Sequence, residues 1–320
     1  MYGLLAGVIL IGMLLLGSFI YHSFKVSQEK KEFPPIGNMV EVNGHDMHVY
    51  TEGQGNQTIV FLAGGGTSAP VLDFKPLWSL LTNDYEIAVV EKAGYGWSEV
   101  ADVSREIDDI LEETRIALTK AGVESPYIFA PHSMSGLEAV RWAQLYPEEV
   151  EAIIGLDAAV PEVYDVFDIP SPVVQSLASF AARTGVLRVF PSVMNQSAAI
   201  DSGKLSKKDE DTYRALFHQS TLTKNMVDEA KEVAENAQKV KDDSVPVNTP
   251  MYFFISNGEE IGLDDWGEIS TGYLERVDHH SFMHMGKHHY VHTYEPEVIA
   301  EEMEVFLQEV KKQEKMSISN

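Results

Sequence analysis

Three stretches far apart in the 320-residue chain carry residue types that together could cleave an acyl bond. The first, "FAPHSMSGLEAVRWAQLYP" at 129–147, runs from apolar residues into Ser133, flanked by small residues, and then into an amphipathic helix. A serine at a sharp strand-to-helix turn is held out of the strand, beside the positive end of the helix, where a hydroxyl can act as a nucleophile. The second, "VFLAGGGTSAP", sets Gly64, Gly65 and Gly66 directly after an apolar run, where backbone N–H groups can turn toward a developing oxyanion. The third, "GKHHYVHTYEPEVIAEEMEVFL", places histidines just before the helix that closes the chain, in position to supply a general base. A glycine run alone is more often a flexible turn. The conjunction in this order is what a serine nucleophile, a histidine base and a backbone oxyanion hole require.

Six of the 11 histidines lie between 279 and 292, and His284, His288 and His292 are spaced four apart, as metal ligands would be on one helix face. That spacing binds metal only on a continuous helix, whereas Gly286 and its surroundings read as a strand end and loop, so no metal is expected. His289 is the expected base, with His288 the alternative. His132, beside the serine, reads as a packing residue, and Glu91, Tyr95 and Trp97 as structural. Glu162, Asp165 and Asp168 could bind a substrate amine or simply face solvent. The chain has no cysteine, which excludes disulfides, thiolate metal sites and cysteine catalysis.

The elements that must position these groups follow from periodicity. "MVEVNGHDMHVYTEG" alternates apolar and polar residues around Asn43-Gly44, a hairpin pair. Short apolar runs at 58–63, 86–91, 127–131, 152–157 and 251–256 read as buried strands, with helical periodicity at 104–121 and 135–146, the latter stopped by Pro147. This alternation predicts a mostly parallel sheet with helices on both faces, and ligands beyond the carboxyl ends of its strands. Between 157 and 251, roughly 90 residues without a strand far exceed an ordinary connection and read as an inserted helical cap at about 161–246.

The first 24 residues are a separate object. From Tyr2 to Phe24 there is no Asp, Glu, Lys or Arg, and about 20 helical residues span the roughly 30 Å of bilayer hydrocarbon. A transmembrane anchor is expected over a cleaved signal peptide, because no basic segment precedes the long apolar run and no A-x-A site follows. Lys25, Lys30 and Lys31 after it lean toward a cytoplasmic C-terminal domain. A polar linker is read at 25–37, a catalytic domain at 38–313 and a tail at 314–320. Acidic residues outnumber basic ones by 49 to 24, for a formal charge of −25, and such a surface repels nucleic acid.

From about 38 to 313 the chain resembles the α/β-hydrolase fold family. "PHSMSG" resembles that family's G-x-S-x-G turn, "EKAGYGWS" its D-R-x-G-Y-G-x-S loop, and "HYVHTYEPEVIAEEMEVFL" its C-terminal histidine segment. Pro131 and Ser135 replace the two glycines around the nucleophile, and Ala63 replaces a histidine that often precedes the oxyanion glycine. The resemblance implies an oxyanion hole formed by the N–H groups of Gly65 and Met134. It also implies a carboxylate after the seventh strand in a G-x-x-D pattern, but Ile261 stands at that spacing from Gly258 and neither Glu259, Glu260 nor Asp264 matches it. Asp157 stands where haloalkane dehalogenases, among other relatives, carry their acid, although a strand-end aspartate also commonly caps a turn. The expected protein is a membrane-anchored hydrolase of a small carboxylic ester or amide, using Ser133, His289 and Asp157 without a cofactor. An aminopeptidase of the proline-iminopeptidase type and a catalytically silent binding protein on the same fold are the alternatives.

Overall fold

The computed structural model describes residues 2–318, and its framework is an eight-stranded sheet in the order β1-β2-β4-β3-β5-β6-β7-β8. Asn38–Val42 (β1) and His45–Gly53 (β2) form an antiparallel hairpin, and β2 pairs antiparallel with Glu86–Glu91 (β4). Its turn residues Asn43 and Gly44 have φ of +50° and +92°, the conformation that favours an Asn-Gly pair there. Thr58–Leu62 (β3), Tyr127–Ser133 (β5), Val150–Ala158 (β6), Met251–Ile255 (β7) and His280–His284 (β8) complete the sheet in parallel. Strands buried on both faces read as continuous apolar runs. Along β3, Val60 and Leu62 join the core on one face while Ile59 and Phe61 join the core on the other.

Tyr2–Glu32 forms one helix (α1), with Pro70–Asp73 (α2) and Lys75–Leu81 (α3) after β3, Ile107–Ala121 (α4) after β4, and Gly136–Leu145 (α5) after β5. Between β6 and β7 lie Pro172–Arg183 (α6), Pro191–Asn195 (α7), Ala198–Asp201 (α8), Lys207–Ser220 (α9) and Lys224–Asp242 (α10). The chain breaks between α9 and α10, where the Thr223 side chain caps the new helix, accepting from the Met226 N–H. Trp266–Leu274 (α11) precedes β8, and Val291–Tyr294 (α12) and Pro296–Ile318 (α13) follow it.

Three expected boundaries move. The segment read as a linker at 25–37 continues α1 as far as Glu32, because its lysines and glutamates are themselves good helix formers. The segment read as a tail at 314–320 continues α13 to Ile318, with 319 and 320 outside the described residues. The strand expected to stop at Pro131 runs two residues further, to Ser133. Pro131 sits opposite Leu62 beside a register shift at His132/Ser133, where a missing N–H is tolerated.

Candidate active site

Ser133 ends β5 with φ of +54°, a left-handed conformation uncommon outside glycine. The chain must turn here directly into α5. Gly136 makes the turn possible, since a Cβ there would lie 2.2 Å from the Ala159 carbonyl oxygen. Ser135, at the position of a family glycine, is fully buried, and its hydroxyl lies 2.7 Å from the Leu62 carbonyl while accepting from the His132 N–H at 3.0 Å. The hydroxyl thus ties the turn after β5 to the end of β3, a contact with no sequence signal beyond a small residue.

The Ser133 Oγ lies 2.9 Å from His289 Nε2, and His289 Nδ1 lies 2.6 Å from Asp157 Oδ2. An ionised carboxylate only accepts, so Nδ1 carries the proton and Nε2 is left to accept from the serine hydroxyl. Asp157 is 1% exposed with φ of +52°, and its other oxygen accepts from the Ser256 N–H at 2.7 Å and the Trp266 indole N–H at 2.6 Å. The end of β7 therefore supplies a donor to the acid on β6 rather than an acid of its own. Neither Ser256 nor Trp266 is legible as a partner in sequence, because each lies about a hundred residues from Asp157 along the chain.

The competing residues take other places. Glu260 accepts from the His289 backbone N–H at 2.8 Å, and its second oxygen lies 2.9 Å from His288 Nδ1. The His288 ring stacks on Tyr294 at 3.8 Å. The Asn257 side-chain oxygen accepts from the Glu259 N–H at 3.0 Å, and Asp264 is exposed. His132 is buried among the rings of His289, Tyr290 and His292, and its Nε2 donates to the His289 carbonyl at 3.2 Å, so it supports the loop that carries His289. Burial holds its pKa well below the ordinary value and pushes His292 down to about 3. His284, His288 and His292 are dispersed over β8, a loop and α12, and among the described residues no group of His, Asp and Glu is disposed to hold a metal. Glu91 is fully buried and accepts from the Trp97 N–H at 2.6 Å, with His48 Nδ1 at 3.0 Å.

The glycine loop packs on this turn. A Cβ on Gly64 would sit 2.8 Å from Ser133 Cβ and 2.9 Å from the His132 carbonyl, so the approach tolerates only glycine. Gly65 lies against the Met134 side chain, and among the described residues neither the Gly65 nor the Met134 N–H donates to a protein acceptor.

A mostly parallel sheet of this strand order, with a serine at the turn after β5 and a long helical insertion after β6, defines an α/β hydrolase. The chain belongs to the hydrolase family described as serine aminopeptidase, S33, whose model matches residues 53–265. It is 37% identical over 235 residues to the protein YbdG of Bacillus subtilis (strain 168), covering 73% of this chain and 72% of that one. Among solved structures, Cfl2 of Burkholderia cenocepacia matches with a TM-score of 0.65 at 18% identity, over 84% of this chain and 95% of that one. Haloalkane dehalogenase DbeA of Bradyrhizobium elkani matches with 0.64 at 14%, over 86% and 98%. A variant epoxide hydrolase of Bacillus megaterium matches with 0.63 at 18%, over 85% and 100%. At these identities the likeness to solved structures is one of fold, and the protein is a hydrolase of that fold.

Proposed function

We propose that the protein is a membrane-anchored serine hydrolase that cleaves a small carboxylic ester or amide through an acyl-enzyme intermediate. The observation that carries this reading is the continuous relay from Ser133 Oγ through the His289 ring to the buried Asp157 carboxylate, at 2.9 and 2.6 Å. Ser133 attacks the carbonyl carbon as His289 Nε2 takes the hydroxyl proton, and Asp157 holds the imidazole tautomer and stabilises the imidazolium. The N–H groups of Gly65 and Met134 receive the oxyanion, and His289 returns the proton to the leaving group. Water then repeats the sequence on the acyl-enzyme. The residues supply every proton transfer, so the reaction needs no cofactor.

The family's description supports an aminopeptidase as the second reading. Against it, two carboxylates available for a substrate amine are already paired, Glu162 with Arg276 and Asp165 with Lys241.

Fluorophosphonate labelling of carbonate-washed membranes from cells producing the full-length chain tests the proposal. Wild type is expected to label there and Ser133→Ala to remain folded and unlabelled, with turnover then sought across esters, lactones and aminoacyl amides. Labelling of the alanine variant would move the nucleophile elsewhere, and a shortened, soluble labelled protein would mean that the N-terminal segment is a cleaved signal.

A further inference from the structure

The outer surface of the helical insertion carries an apolar stripe that the catalytic reading does not use. On α6, Val173, Val174, Leu177 and Phe180 recur at i, i+1, i+4 and i+7 and are 53–69% exposed. Val189, Phe190 and Val193, from the turn packed on α6 and the short helix that follows it, are also exposed. A helix on a water-soluble surface turns such a stripe inward. Here the inward side carries Ser179, whose hydroxyl donates to the Leu222 carbonyl at 2.8 Å, and the buried Ala182. Exposed apolar residues grouped in this way mark an interaction surface.

The same segment is fastened to α1. Ser18 Oγ donates to the Thr184 carbonyl at 2.8 Å, Arg188 Nε donates to His22 Nδ1 at 3.0 Å, and the Arg188 guanidinium pairs with Glu29 at 2.6 Å. A Cβ on Gly185 would lie 2.5 Å from His22 Cβ, so the Gly185 backbone packs directly against the His22 side chain. Beyond this junction, Tyr2 to Ser18 extend for about 25 Å at 1.5 Å per residue. That is close to the roughly 30 Å thickness of bilayer hydrocarbon. The insertion is therefore fastened alongside the last apolar turns of α1 and the charged turn that follows them.

We propose that this face docks into the bilayer that holds α1, burying Val173, Val174, Leu177, Phe180 and Val189 at the boundary between headgroups and acyl chains. An amphipathic helix lying in that plane is held by its apolar face. The proposal rests on α1 being a retained membrane helix. Because the chain has no cysteine, single probes can be placed without removing any.

Full-length protein carrying Leu177→Cys, Phe180→Cys or Leu10→Cys is labelled with an environment-sensitive fluorophore and reconstituted in phosphatidylcholine–phosphatidylglycerol vesicles. Quenching by lipid-borne nitroxide is compared with quenching by aqueous iodide, and Leu10→Cys reports α1 separately. Several-fold stronger quenching by the nitroxide at Leu177→Cys and Phe180→Cys is expected. Iodide access at these two sites with nitroxide access at Leu10→Cys would put the face in water and overturn the docking while leaving the anchor. Protection from both quenchers would mean that a second copy or another protein covers the stripe, which also overturns it. Iodide access at all three sites would sink the anchor and the docking together.

Discussion

Asp157 has two carboxylate oxygens with divided work. One is occupied by the Ser256 N–H and the Trp266 indole, which leaves the other to the imidazole of His289. Asp157→Asn would offer an amide donor to Nδ1, favour the wrong tautomer and take away the acceptor that Ser133 needs. By analogy with other triads, kcat is expected to fall by up to about 10⁴-fold with little loss of stability. Glu260→Gln keeps an acceptor for the His289 N–H, so its effect should stay within about 10-fold, the scale of one modest hydrogen bond. Steady-state kinetics on the best ester from the panel separates the two variants. Near-full activity in Asp157→Asn beside a dead Glu260→Gln would make the Glu260 carboxylate, in the turn after β7, the working acid.

At the scale of elements, one buried cluster joins the sheet, α5 and the insertion. Lys92, just past β4, lies 2.6 Å from Glu138 on α5 and pairs also with Glu229 on α10, and Tyr95 donates to Glu229 at 3.0 Å. Lys92 and both carboxylates are at most 4% exposed. Burial disfavours the ammonium, but the two carboxylates outweigh it and raise the Lys92 pKa. Lys92→Met would leave two carboxylates buried without a cation, and breaking such a pair costs about 3–5 kcal/mol. Urea unfolding above about pH 7, where Glu138 is ionised in the fold, is expected to read a loss of that size. A loss below about 1 kcal/mol, the worth of an exposed pair, would mean that the cluster does not hold the insertion to the sheet.

For the molecule as a whole, stability depends on pH through groups of opposite sign. Burial, with Glu229 adding repulsion, outweighs the attraction of Lys92 and pushes the Glu138 carboxyl up from 4.5 to about 7. The unfolded chain loses this proton first. The contribution is thus intact below about 4.5, declines as pH rises toward about 7, and is flat above. His132 and His292 run the other way. Their folded-state pKa values are depressed, so their contribution is present above 6.5 and is lost as pH falls below it. Comparing Glu138→Gln with wild type cancels the histidines. The unfolding free energy of the variant relative to wild type is expected to rise between about pH 5 and pH 7 and then level off. A difference that is constant with pH would show that Glu138 keeps an ordinary pKa in the fold.

Strands β1 to β7, the long helical insertion and the order of glycine loop, serine and histidine were readable from the sequence, whereas β8 at the sheet edge is largely unburied and showed only as a strand end near Gly286. Each rests on local chemistry: apolar runs that must be buried, glycines where a backbone must turn or approach closely, and residue types suited to proton transfer. Asp157 was legible only as a strand-end aspartate in a suggestive position. Its pairing with His289 spans 132 residues, and no local rule can rank it above Glu260. The same holds for the Ser135 hydroxyl on Leu62, for Trp266 on Asp157, and for the ring of His132 beneath the histidine loop. The apolar stripe of α6 shows the limit most directly. Its periodicity announces an amphipathic helix, but which way the apolar face points was decided by how α1, α10 and the adjoining turn pack around it. Sequence periodicity fixes the angle between side chains on one helix, and only tertiary packing fixes that helix's rotation against its neighbours.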